Sequence, residues 1–221
     1  VTVKVTLKLA TSLDGRIATA SGESQWITGQ EARLHVHQMR ADHDAVLVGI
    51  GTVLADDPML TVRLPDYEGR QPTRVVLDTR LRLPPNCKLA STVAYAPTTV
   101  ITRETDTGSL AGTQVQTITI LAQPDEALPL HRPKPEKVLE ILEGEGIRSV
   151  MIEGGGEVAA AFIRAGLVDA IAWFRAPILL GGDGRPALGK LGVGHLTGAP
   201  RFRRVDVTVL GEDVLERYER T

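Results

Sequence analysis

The chain has 221 residues, 43% hydrophobic and 24% charged, with 25 Lys and Arg against 27 Asp and Glu. This is the composition of an ordinary soluble globular protein, expected to form a single domain over residues 1–221; with aromatics at only 4%, it has neither a basic phosphate-tracking surface nor base-stacking platforms, so nucleic acid is not an expected partner. No apolar run approaches the roughly 20 residues of a membrane span, and the lone Cys87 rules out an internal disulfide, a Cys-x-x-Cys metal site and the zinc-deaminase pattern. A cytoplasmic protein without a metal and without a membrane is expected.

Val1 to Leu9 alternates apolar and polar residues and predicts a strand with one wetter face, on which Lys8 reads as a solvated lysine or as one leaning over a site. Ser12-Leu13-Asp14-Gly15 is a turn. After the polar loop Ser21 to Thr28, the spacing of Thr28 and Glu31 is that of a capping box, and Ala32, Val36, Met39 and His43 give the inward face of a helix running from near Gly29 to Ala41. His35 and His37 lie about 200° apart on that helix, cannot share a metal and read as surface residues. Arg40 in the last turn complements the helix dipole.

Asp44 to Gly49 is a continuous apolar run, as in a parallel strand covered on both faces. Glycines, Thr52 and a short helix follow, ending in Asp56-Asp57-Pro58, which forms a turn or touches a ligand. Arg74 to Leu77 is a third buried strand, with further strands at Thr99 to Thr102 and Val115 to Ile120. Four prolines between Leu121 and Pro135 mark a surface excursion, Glu136 to Glu145 a helix, and Val168 to Phe174 a strand leading to a mobile Gly-rich loop. Arg203 to Leu210 and Val214 to Tyr218 flank Gly211-Glu212-Asp213 as a hairpin. The predicted fold class is α/β, a mostly parallel sheet flanked by helices with an antiparallel C-terminal hairpin.

Ile147 to Gly166 carries the strongest chemical signal. An apolar strand ends in Glu153-Gly154-Gly155-Gly156, and a helix follows with Val158, Ala161, Phe162 and Ala165 at helical spacing. Glycines let backbone N–H groups approach an anion, the helix N-terminus adds about half a positive charge, and Glu153 would face the ligand. The pattern is not G-x-G-x-x-G, so the dinucleotide-binding Rossmann fingerprint is absent.

Set together, Leu7-Lys8-Leu9-Ala10 with Ser12 to Gly15, Ser21 to Thr28, Val48 to Pro58 with Leu60-Thr61-Val62-Arg63, and Glu153 to Gly156 resemble the reductase domain of the bifunctional riboflavin biosynthesis deaminase-reductase. The resemblance runs in order over nearly the whole chain and implies a dihydrofolate-reductase-like fold. It implies an NADPH-dependent oxidoreductase that reduces the ribosylamino group of 5-amino-6-(5-phospho-D-ribosylamino)uracil to its ribitylamino form, the sugar opening to an imine and hydride passing to C1′. It places cofactor contacts on Ala10, Trp26, Thr52, Asp56, Thr79 and the stretch Gly155, Gly156, Glu157, Val158, Ala159, Ala160 and Ala161. Substrate contacts fall on Ser24, Arg40, Asp57, Leu60, Arg63 and Glu153, with Arg40 and Arg63 as forked donors for the sugar phosphate. Lys8, Asp57 and Glu153 are the proton carriers, Lys8 bonding the opening sugar and Glu153 orienting the amine.

The resemblance also implies a homodimer and a deaminase that is either fused or separate, this chain being a stand-alone reductase or a part of a longer protein. Three other readings are weighed beside it: a reductase of 2,5-diamino-6-ribosylamino-4(3H)-pyrimidinone 5′-phosphate acting before deamination, a non-catalytic NADP(H)-binding module, and a dihydrofolate reductase proper. Ser21 to Thr28 favours the uracil substrate, and the last reading lacks an acid facing a pterin from the first long helix, where this chain has Arg40.

Overall fold

The computed structural model describes residues 2–121 and 132–221. In chain order the described elements begin β1 (Lys4–Thr11), β2 (Arg16–Ala18), α1 (Gln30–Ala41), β3 (Ala45–Gly49), α2 (Ile50–Asp56), β4 (Thr73–Leu77), α3 (Lys88–Ser91), β5 (Thr98–Thr102) and β6 (Gln116–Thr119). They continue with α4 (Pro135–Gly144), β7 (Ser149–Gly154), α5 (Gly156–Arg164), β8 (Ala170–Arg175), β9 (Arg185–Pro186), β10 (Phe202–Leu210) and β11 (Asp213–Arg220). The surface excursion expected from Leu121 to Pro135 lies mostly outside the described residues. At its described end, Pro135 occupies the first turn of α4, where its missing N–H costs nothing, and so opens a helix instead of breaking one.

One nine-stranded sheet has the order β10-β11-β8-β1-β7-β3-β4-β5-β6. From β8 to β6 every pairing is parallel, and β11 and β10 join the β8 edge antiparallel, as the hairpin signal predicts. Parallel strands are buried on both faces, which explains the unbroken apolar run of β3, all five residues of which are buried. One face packs Leu7, Leu9, Val150 and Ile152 against α4 and α5 through Val138, Leu139, Phe162 and Ile163. The other packs Val46, Val48, Met151 and Phe174 against α1 and α3 through Ala32, Val36, Met39 and Leu89.

β1 lies between β8 and β7, so its polar face is turned not to water but to the layer under α1, with Thr6 and Lys8 half-buried. The capping box at α1 does not form. Gly29 is the N-cap, and its backbone N–H donates instead to Asp213 Oδ2 at 2.6 Å, a bond supplied by the hairpin 184 residues away. The Gly-rich loop expected to be mobile is tied at several points. Asp14 accepts the N–H groups of Leu180 and Gly181 at 3.1 and 2.8 Å, and β9 pairs with β2 in a small second sheet. Ser12 and those two N–H groups hold the Asp14 carboxyl down at about 2.

Among the described residues Arg74 is the largest fully buried side chain. Its guanidinium donates to the carbonyls of Met59, Leu89, Thr92, Ala96 and Pro97 and to the Thr92 hydroxyl, at 2.5 to 3.5 Å. Burial lowers its pKa to about 10, so it remains a cation at neutral pH with carbonyl dipoles as counter-charge. It fastens two connections, 57–63 and 89–97, to β4. Arg74→Met is expected to lower unfolding free energy by about 3 kcal/mol, because those carbonyls lose their donor without access to water. Urea denaturation checks this, and a loss below about 1 kcal/mol would show that the carbonyls find other partners.

Candidate active site

Two polar side chains approach each other at the centre of the sheet because of register. The β1 and β7 strands pair through Leu7 and Ile152, so Lys8 and Glu153 each follow that pair by one residue and share the face under α1. The β3 pairing then skips from Ile152 to Gly154, which places Glu153 in a bulge, a device that re-aims a side chain at a strand end. Arg40, buried in the last turn of α1, meets it from above. Its Nε donates to Glu153 Oε1 at 2.6 Å and its Nη2 to Oε2 at 2.8 Å, with the two side chains 11% and 6% exposed.

The third nitrogen, Nη1, donates to Thr61 O at 2.9 Å. Three of Arg40's five N–H donors are therefore engaged within the protein, leaving one on each terminal nitrogen among the described residues. Arg40 does stand in the last turn of α1, as expected of a cation that complements the helix dipole, but it is buried there.

Electrostatics follow from this placement. Burial would raise the Glu153 carboxyl, but Arg40's charge and hydrogen bonds outweigh it and hold Glu153 below its ordinary range, ionised. Burial lowers the Lys8 ammonium; Glu153 opposes that and Arg40 reinforces it. The Lys8 Nζ also lies 5.9 Å from the Phe174 ring centroid. The result is a fixed anion beside a lysine whose proton is easier to remove than usual.

His37 is half-buried one turn before Arg40, where the reading from spacing had put a surface residue. The Arg63 backbone N–H donates to its Nδ1 at 3.2 Å. Burial, then the charges of Arg40 and Arg63, lower its pKa to about 4, so the ring is neutral. An i, i+3 relation to Arg40 was the one signal in the sequence that placed it near the site. His35, also half-buried, instead meets Arg217 Nη2 through Nε2 at 2.8 Å.

The remaining expected substrate residues are placed unevenly. Arg63 is exposed, with its Nη1 3.4 Å from the Thr61 hydroxyl, and its fork is open to a ligand. Leu60 is 3% exposed and belongs to the core, so only its backbone can meet a ligand. Ser24 donates to Asp56 Oδ1 at 3.3 Å, which joins the loop before α1 to the end of α2. Asp57 accepts the Lys88 backbone N–H at 2.9 Å and lies 3.9 Å from Lys88 Nζ. Among the described residues no hydrogen bond or ion pair joins Asp57 to Lys8, Arg40 or Glu153; its contacts anchor α3.

Adjacent strands β3 and β7 both end in a glycine followed by a helix. Gly155, at φ +89°, is the N-cap of α5, and Gly49 is the N-cap of α2. A Cβ on Gly154 would lie 2.7 Å from Thr52 Oγ1, and one on Gly49 would lie 2.9 Å from Val158 Cγ2. The two turns thus approach as only glycine allows, bringing two helix N-termini together at the carboxyl ends of neighbouring strands. The N–H groups of Gly156, Glu157 and Val158 are those that a helix leaves without an internal partner. Ala159 N already donates to Gly155 O at 3.0 Å, and the Ala159 and Ala160 side chains are buried in the sheet layer. The expected cradle therefore shortens to its first turn, and Ala159, Ala160 and Ala161 offer no free amide to a ligand.

Gly156 O accepts Gly189 N–H at 2.9 Å, so the loop after β8 runs alongside this turn. Ala10 is half-buried on the Lys8 face of β1, and Thr79 lies just past β4. Trp26 is 68% exposed, with its ring 4.6 Å from the Arg33 guanidinium. Among the described residues there is no group of three or more His, Cys, Asp or Glu that could hold a metal, and no helix long and apolar enough to cross a membrane.

A family model described as the RibD C-terminal domain matches residues 3–215. The riboflavin biosynthesis protein RibD of Bacillus amyloliquefaciens is 41% identical over 217 residues, covering 95% of this chain and 55% of that protein. A 2,5-diamino-6-ribosylamino-4(3H)-pyrimidinone 5′-phosphate reductase of Methanothermobacter thermautotrophicus is 36% identical over 216 residues, covering 97% of this chain and 96% of that protein. A solved structure from Thermotoga maritima, a diaminohydroxyphosphoribosylaminopyrimidine deaminase/5-amino-6-(5-phosphoribosylamino)uracil reductase, superposes with a TM-score of 0.79 at 31% identity, covering 99% of this chain and 57% of that one. The chain spans about half the length of the two-activity relatives and nearly all of the archaeal reductase. With sheet order, glycine turns and family match in agreement, the chain belongs to the RibD C-terminal domain family.

Proposed function

We propose that this chain is an NADPH-dependent reductase of the ribosylamino group of 5-amino-6-(5-phospho-D-ribosylamino)uracil in riboflavin biosynthesis. The observation that carries the reading is the group of half-buried Lys8 with the buried Glu153–Arg40 pair, beside a glycine turn able to hold a diphosphate. NADPH, when bound, supplies the hydride. The first turn of α5 with Gly155 and Gly156 holds its diphosphate by backbone N–H groups, with Thr52 at the same crevice. Ala10, Trp26, Asp56 and Thr79 complete the cofactor site in this reading.

Lys8 is the proton carrier. Its ammonium donates to the ring oxygen of the ribosylamine as the sugar opens, and its lowered pKa eases that transfer. Glu153, kept ionised by Arg40, accepts a hydrogen bond from the amine nitrogen and fixes the acceptor carbon in place. Arg63 takes the phosphate with its exposed fork, and Ser24 and the Leu60 backbone add substrate contacts in this reading.

A second substrate has its own support. The archaeal relative that matches along 96% of its length is named for the diaminopyrimidinone 5′-phosphate. Reduction before deamination is therefore the alternative. The sheet that runs from β1 to β11 supports one reductase domain, with a fused or separate deaminase as partner and the cytoplasm as location. A homodimer is supported by β10, an edge strand exposing Val205, Val207 and Val209 at 43, 50 and 71%.

NADPH oxidation measured with the two pyrimidines side by side is expected to favour the uracil by kcat/KM, and consumption with neither would end the reductase reading. Glu153→Gln is expected to lower kcat by about 100-fold while the NADPH Kd, measured by fluorescence titration, stays within about threefold, since the cradle uses backbone donors. Unchanged turnover would remove Glu153 from the chemistry. Val207→Lys is expected to shift sedimentation from dimer to monomer, and a dimer that persists would place the interface elsewhere.

A further inference from the structure

Leu60 to Val62 lies outside helix and sheet, yet these residues are only 3, 0 and 2% exposed. Peptide groups buried without a neighbouring strand must find partners elsewhere, and here they find side chains. Gln71, itself 9% exposed, accepts the Val62 N–H through Oε1 at 2.7 Å and donates from Nε2 to Val62 O at 3.1 Å. Its primary amide thereby reproduces both bonds that an adjacent strand would make. Nε2 also donates to the Tyr95 hydroxyl at 3.0 Å, which fixes the direction the amide faces. Arg40 holds Thr61 O on one side and His37 holds Arg63 N–H on the other. Of this segment, the Arg63 side chain is the part left exposed.

We propose that Gln71 is a positioning residue: by clamping both peptide groups of Val62 it sets the direction in which Arg63 presents its guanidinium to the substrate phosphate. The proposal rests on the reading of Arg63 as the phosphate ligand. The physical reason is lever length. A peptide free to rotate at Val62 swings the end of a long side chain by more than the tolerance of a bidentate contact, in which about 1 Å of misplacement is costly. Gln71 touches neither substrate nor cofactor in this scheme and acts only through the backbone it grips.

The test is a double-mutant cycle on KM for the phosphorylated substrate, with the dephosphorylated nucleoside as control. Gln71→Ala is expected to raise KM about tenfold with kcat within about twofold, and to add nothing once Arg63 is already alanine. An equal rise in both backgrounds, as a merely structural role would give, overturns the proposal, and so does no rise in either. If Arg63→Ala weakens the phosphorylated and dephosphorylated compounds alike, the phosphate reading itself fails and the clamp falls with it. A normal phosphate-specific loss in Arg63→Ala with additive Gln71 losses overturns the clamp alone. Should Gln71→Ala not fold, Tyr95→Phe replaces it in the cycle. Tyr95 is 59% exposed, and removing the bond that orients the amide is expected to raise KM about two- to threefold only where Arg63 is present. No rise there overturns the proposal as well.

Discussion

A single buried ion pair organises this molecule's polar centre. Arg40 and Glu153 come from elements 113 residues apart and meet in a two-bond fork under 12% exposure. Taking either charge out of water alone would cost several kcal/mol, so each is tolerated there only because the other is present. Their meeting fixes the end of α1 against the end of β7. It also bears on protonation: the carboxyl stays ionised, while Lys8 is lowered chiefly by burial, with Glu153 opposing that and Arg40 reinforcing it.

The sheet supplies the other half of the site. Parallel order puts the carboxyl ends of β7 and β3 side by side, and each runs through glycine into a helix. Partial positive charge from two helix N-termini accumulates on one side of the crevice. A dianionic sugar phosphate and a dinucleotide suit such a field. The carboxylate of Glu153, neutralised by Arg40, does not oppose it.

Much of the frame was legible in the sequence because it is local. The unbroken apolar run of β3, the glycines after Glu153 and the hairpin turn at Gly211 each state their element within a few residues. What escaped was set by distant residues. The capping box at Thr28 lost to Asp213, whose carboxylate reaches Gly29 across 184 positions. His37 reads as a surface residue on a helical wheel, since no wheel reveals that residues 61–63 fold over it. Lys8 reads as solvated from the alternation of β1, and only the strand order shows that α1 covers that face. The sequence shows Arg40's fork but not that Glu153 meets it, because the bulge at Glu153 is invisible until β3 is paired with β7. Gln71 carried no signal at all: a glutamine that imitates a strand has no pattern.

The close approach of the two glycine turns has an evolutionary corollary. Gly154 has no room for a methyl group beside Thr52, nor does Gly49 beside Val158. These four positions form one interlocked knot drawn from two βα units, so the residues permitted at any one depend on the other three. Descendants of this chain would have to drift at these sites jointly, by coordinated exchanges that keep the summed volume constant, while the helix surfaces a turn away remain free to vary one residue at a time.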